Sequence, residues 1–201
     1  MTKTIKIDFF LLSRKWSRRS PKIKQITFKI KKLMKIYFNK KYSHNLNIIL
    51  CNKTRMIAAN YKFNKKRTDT DVLTFVNKIS NKNLGKIIYC DIFFSIDTIE
   101  KFVLKNKINF YDHFSHLLIH SMLHINNYKH KTLKQFEKMK KEEIKILKAV
   151  GIGEHSDIVA EADKWVGVIA EAEDKLTVLY KSMPLTEARH SEYEDIDENM
   201  R

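Results

Sequence analysis

Five of the eight histidines fall within one stretch, as His113, His116, His120, His124 and His130 in the run HFSHLLIHSMLHINNYKH. A neutral imidazole binds transition metals through one ring nitrogen, at about 2.0–2.1 Å for zinc. Side chains four apart on a helix share a face, with Cβ atoms roughly 5–6 Å apart, so His120 and His124 can aim nitrogens at one point. The asparagines of INNY then end the helix and turn the chain, which returns His130 towards the pair. Three such nitrogens leave the fourth position of a tetrahedral ion open to water, as in catalytic rather than structural metal sites. Spacing alone leaves a second reading open: His116, His120 and His124 form one stripe, in which a histidine can be packing or can support a ligand instead of being one. The spacing H-x3-H-x5-H is also that of the metzincin proteases, which need Glu after the first His and Gly three residues after the second. Here those positions are Ser121 and Asn127, so no residue is in place to activate water for peptide hydrolysis.

These histidines need elements to position them. Ile5, Ile7, Phe9 and Leu11 alternate with mostly polar neighbours and predict a strand. Residues 22–38 place apolar side chains at spacings of three and four among lysines, an amphipathic helix with a basic outer face. A strand is expected over 45–52 and a helix over 54–63, capped by Thr54. A polar, basic loop follows at 64–71. Residues 72–76 and 85–90 read as strands joined by the polar segment NKISNKNL. Residues 92–106 and 109–125 read as helices, and Thr132 can cap a last helix through about Lys148, ended by Gly151. The order predicts an α+β fold, a small mixed sheet covered by helices.

The chain has 201 residues and a formal net charge of +16. The charge is uneven: residues 1–150 carry 34 Lys and Arg against 10 Asp and Glu, net +24, and residues 151–201 carry 5 against 13, net −8. We therefore place a basic domain at 1–150 and an acidic extension at 151–201, expected to be mostly helical or disordered. Ser156 can cap a helix running to about Tyr180, and the acidic end after Pro184 has a disordered composition. The basic body favours an anionic partner, nucleic acid first. Cys51 and Cys90 sit singly in apolar stretches, which argues against a disulfide framework and fits a reducing compartment. The N-terminal apolar run is interrupted by Lys6 and Asp8, a poor signal peptide, and no stretch approaches the ~18 apolar residues of a spanning helix. A cytoplasmic location with no membrane partner is the expectation. Trp16, in the basic run SRKWSRR, has two readings, burial or stacking on a base.

Three segments carry a resemblance. H-S-M-L-H-I-N-N-Y-K-H, from His120 to His130, resembles the signature H-G-x-L-H-L-x-G-Y-D-H of the YbeY family, bacterial metal-dependent endoribonucleases of ribosomal RNA maturation. N-Y-K-F-N-K-K-R-T-D-T-D-V-L-T-F-V, from Asn60 to Val76, is similar to the family's N-x-x-Y-R-x-K-D-x-P-T-D-V-L-S-F-P. Leu84 to Tyr89 resembles L-G-D-I-x-I. The likeness covers roughly residues 1–150. It implies one Zn²⁺ per chain on His120, His124 and His130, and cleavage of single-stranded RNA within ribosomal RNA or its precursor. The implied roles are maturation of the small-subunit rRNA 3′ end and ribosome quality control, with the small ribosomal subunit as partner and no DNA. A metal ion can polarise a phosphoryl oxygen and acidify bound water, and a nearby cation can hold the phosphate. Lys65, Lys66 and Lys129 are candidate RNA contacts. The family's arginine falls on Asn64, and Arg67 is the candidate to take its catalytic place. Further departures are Ser121, Asn127, Lys129 and Lys86. They motivate an alternative reading, a catalytically weakened RNA-binding factor of ribosome assembly.

Overall fold

The computed structural model describes residues 4–81 and 85–152, so the expectations for 153–201 lie outside it. Four strands form one mixed sheet: β1 (Ile5–Leu11), β2 (Ser43–Cys51), β3 (Val72–Asn81) and β4 (Gly85–Ser95), in the order β1-β2-β4-β3. β1, β2 and β4 run parallel, while β3 pairs antiparallel with β4. Five helices complete the α+β fold: α1 (Ser20–Met34), α2 (Lys53–Asn64), α3 (Ile96–Asn106), α4 (Phe110–Ile125) and α5 (Leu133–Ala149). Parallel neighbours need long crossovers, here supplied by α1 between β1 and β2 and by α2 with β3 between β2 and β4.

Alternation along the strands separates two cores. Leu46, Ile48 and Leu50 of β2, with Ile88, Cys90, Ile92 and Phe94 of β4, point to the larger one, shared with α1, α3, α4 and α5. Ile49, Cys51 and Phe93 point the other way, where Met56 and Ala59 of α2 cover them. Both cysteines are buried and free, as expected for strand residues.

The element order matches expectation, and several boundaries differ. α1 ends at Met34, short of the expected residue 38. α2 is capped by Asn52 and not by Thr54: the Asn52 side chain accepts from Arg55 N–H at 3.0 Å, and Thr54 lies within the first turn. The loop expected from residue 77 is strand: β3 continues to Asn81, and Asn77 and Ile79 pair with Tyr89 and Ile87. An edge strand bonds on one side only and so tolerates such polar residues. The helix expected from residue 92 starts at Ile96, because Ile92–Ser95 continue β4 between β2 and β3. Trp16 is fully buried and donates Nε1–H to the Cys51 carbonyl at 2.8 Å, so it is not a base-stacking platform. It belongs to a short 3-10 turn, Arg14–Trp16, and meets Phe110 and Phe114 of α4 edge-on at 5.8 and 6.3 Å. That packing ties the start of the histidine helix to the sheet.

Candidate metal centre

Helix α4 is built to present histidines. Asn109 caps its start, its side chain accepting from the backbone N–H groups of Tyr111 and Asp112. Phe114, Leu118, Ile119 and Met122 are fully buried, which leaves His116, His120 and His124 on an adjoining stripe. The helix ends in a tight reversal: Tyr128 N–H bonds to the Leu123 carbonyl at 3.1 Å and Asn127 N–H to the His124 carbonyl at 2.9 Å. These are the paired bonds of a Schellman turn, whose C′ residue must be left-handed. Asn127 is, with φ 66, and asparagine tolerates that region better than other non-glycine residues. The substitution of Asn for the family's glycine therefore keeps the turn. Ser121 is equally accommodated, fully buried with its hydroxyl donating to the Leu117 carbonyl at 2.9 Å.

The reversal returns His130 to the pair. One ring nitrogen from each of His120, His124 and His130 lies within 4.8 Å of the others. Nε2 of His120 and Nε2 of His124 are 2.8 Å apart. A tetrahedral ion with bonds of about 2.0–2.1 Å sets its ligand atoms roughly 3.3 Å apart, so a small outward movement of the rings admits one. The outer nitrogens fit the same purpose. His124 Nδ1 is 2.9 Å from the Tyr128 carbonyl oxygen, an acceptor only, so Nδ1 carries the proton and donates. His120 Nδ1 lies 2.6 Å from Glu143 Oε1. Both Nε2 lone pairs are thereby left facing the shared space, the tautomer that metal ligation requires. The three histidines fit a metal ion.

Burial pushes the pKa of His124 down to about 3, helped by the imidazoles of His120 and His130. Burial likewise pushes His130 down to about 4, again with His120 contributing. Both rings are neutral at physiological pH, as ligands must be. Burial favours protonation of the Glu143 carboxyl, but His120 and His116 beside it overcome this and hold it well below the usual carboxylate range. A stability consequence follows for metal-free protein. An unfolded imidazole takes up its proton near pH ~6.5, whereas His130 and His124 do so in the fold only near 4 and 3. Between these values the unfolded chain binds more protons, so stability present above pH ~6.5 is lost as pH falls through the window. His44, buried against Phe38 with its pKa lowered mainly by burial, adds to the same slope. Thermal melts of chelator-treated protein should show Tm falling between pH 6.5 and 4; a flat profile would contradict neutral buried rings.

Glu143 was not legible in the sequence, where it is one of three glutamates in a lysine-rich helix, 23 residues after His120. Lys78 was also missed: its Nζ reaches Asn127 Oδ1 at 3.0 Å, from the edge strand to the turn between two of the histidines. Lys129 is exposed on that turn. Lys65, Lys66 and Arg67 are exposed beyond the end of α2. The Arg67 guanidinium packs 4.7 Å from the ring centroid of Tyr61 on that helix. Asn64 donates its amide to Asn60 Oδ1 at 2.9 Å, so it binds within its own helix and offers no cation. His113 is separate from the triad, stacked on Phe102 at 4.2 Å and 3.7 Å from Asp71.

A mixed four-stranded sheet that carries three convergent histidines on and after one core helix defines an α+β protein with a candidate metal centre. The sequence profile described as Endoribonuclease YbeY matches residues 12–151. A protein named Endoribonuclease YbeY from Ehrlichia chaffeensis is 33% identical over 150 residues, covering 73% of this chain and 94% of that protein. Namesakes from Karelsulcia muelleri and Phytoplasma mali are 41% and 30% identical over 107 and 127 residues, covering 52% and 63% of this chain and 71% and 82% of theirs. The chain belongs to the endoribonuclease YbeY family, and membership supports an RNA-cleaving role. Among the described residues, no helix is long and apolar enough to cross a membrane.

Proposed function

We propose that residues 1–150 form a zinc-dependent endoribonuclease domain that acts on single-stranded regions of ribosomal RNA or its precursor. Its role is maturation of the small-subunit rRNA 3′ end and ribosome quality control in the cytoplasm, with the small subunit as partner. The observation that supports this most is the convergence of His120, His124 and His130 with both Nε2 atoms of the first two turned inward, in a chain of an endoribonuclease family. One zinc ion held there would supply Lewis acidity towards a phosphoryl oxygen and an acidified water. The protein groups bind and orient. Lys129 and Lys78 border the turn between the ligands and can hold phosphate oxygens. Lys65, Lys66 and Arg67 form an exposed basic end of α2 that can follow the RNA backbone, with Arg67 standing in for the missing family arginine.

A second reading is favoured by Asn64, which offers no cation where the family has one. The chain would then bind RNA in ribosome assembly with little turnover. One assay separates them: precursor cleavage with added Zn²⁺ against binding in the same salt. Cleavage is expected; tight, salt-dependent binding without products would favour the second reading. Replacing Lys65 and Lys66 together by glutamine should weaken binding and flatten its salt dependence, by roughly one unit of slope for each phosphate that is no longer neutralised, with metal content unchanged. An unchanged slope would remove the α2 end from the RNA path.

A further inference from the structure

We propose that Glu143 is a positioning residue that, braced by His116, fixes the ring and tautomer of His120 and so sets the affinity and geometry of the metal centre. The inference rests on reading the three histidines as that centre. Glu143 sits on α5, 7% exposed, in a helix whose lysines, the half-buried Lys140 apart, are exposed. Its two oxygens are used separately. Oε1 is 2.6 Å from His120 Nδ1, and Oε2 is 3.6 Å from His116 Nε2. The first of these is on the far side of the ring from Nε2, the nitrogen that faces His124. Glu143 therefore does not point at the metal position; it acts through His120.

Burying a carboxylate is costly unless hydrogen bonds compensate, and an apolar side chain would fill this place in the core more cheaply. What only a carboxylate provides is a charged acceptor for Nδ1–H, which makes the imidazole a stronger donor at Nε2 and stops the ring from turning. His116 fits the supporting role that the histidine stripe left open. Its ring centroid is 6.4 Å from that of His120, and its Nε2 faces the carboxylate rather than the triad. The assembly thus reaches from α4 across to α5, so the packing of those helices is coupled to the orientation of a ligand.

Three measurements on wild type, Glu143→Gln and Glu143→Leu in the full chain test this. They are Zn²⁺ affinity by chelator competition, the visible spectrum of the Co²⁺-loaded protein, and the melting of the metal-free protein. The glutamine amide oxygen still accepts from Nδ1–H but carries no charge, so affinity should fall roughly tenfold; leucine removes the hydrogen bond and should cost about 10–100-fold. The Co²⁺ bands should move in both, while metal-free Glu143→Leu melts no lower than wild type. If both variants bind Zn²⁺ as wild type does with unmoved Co²⁺ bands, Glu143 is a core ion pair only and the proposal fails alone. If Glu143→Leu does not fold, Glu143→Gln decides by the same two readouts. If wild type binds neither ion, the metal reading of the triad fails and this proposal falls with it.

Discussion

Replacing His124 by alanine should remove bound metal and RNA cleavage together. His124 is placed by three constraints: its position one turn after His120, the buried face of α4, and the bond from its Nδ1 to the Tyr128 carbonyl. Alanine takes away one of the three proposed protein ligands and, as the best helix former, keeps the helix intact. An ion that polarises a phosphoryl oxygen contributes several kcal/mol to the transition state, and each ~1.4 kcal/mol is tenfold in rate. Cleavage of ribosomal RNA precursor should therefore fall by at least on the order of a hundredfold. Elemental analysis should find about one zinc per wild-type chain and close to none in His124→Ala. A variant that kept both its metal and its rate would sink the mechanism, and wild type without metal would sink it sooner.

The largest effect on stability is expected at Trp16. Among the described residues it is the largest of the fully buried side chains, it packs edge-on against Phe110 and Phe114, and its Nε1–H satisfies the Cys51 carbonyl. Truncating such a residue to alanine costs about 3–5 kcal/mol, or a Tm drop of roughly 6–20 °C for a domain of this size. Trp16→Phe should retain most of the packing and leave the Cys51 carbonyl unpaired, at about 1–3 kcal/mol. Both are read by thermal melts. Since Phe110 and Phe114 lie in the first half of α4 and the candidate ligands His120 and His124 in its second half, folded Trp16→Phe should still bind zinc normally at temperatures well below its melt. Weakened binding there would mean that the two ends of the helix are coupled.

What was legible in the sequence was what local spacing encodes. Alternation at Ile5, Ile7 and Phe9, the three- and four-residue spacing in α1, and caps such as Thr132 belong to single elements. The order of elements followed from them. So did the approach of His120 to His124, which one helical turn guarantees, and the return of His130, which the Asn-rich turn provides. The run from Ile92 to Glu100 misled because I-F-F-S-I-D-T-I-E satisfies strand and helix patterns at once. Pairing of β4 with both neighbours decides that its first four residues are strand. Residues 77–81 look like loop by composition, and only their partners on β4 make them strand. Trp16 with Cys51, Glu143 with His120 and Lys78 with Asn127 are pairings between distant parts of the chain. No local pattern announces them, and two of the three border the candidate site.

Three helices leave their last turn through a residue that bears a side chain: Lys65 after α2 at φ 57, Lys107 after α3 at φ 55 and Asn127 after α4 at φ 66. Glycine usually fills such positions, and this chain has four glycines in 201 residues. A side chain on a left-handed residue costs about 1–2 kcal/mol, less for asparagine. The chain thus leaves a margin of thermal robustness unclaimed at these helix exits. The exit nearest the candidate metal centre is the one given to asparagine, so the turn that must hold its shape for His130 bears the least of that strain.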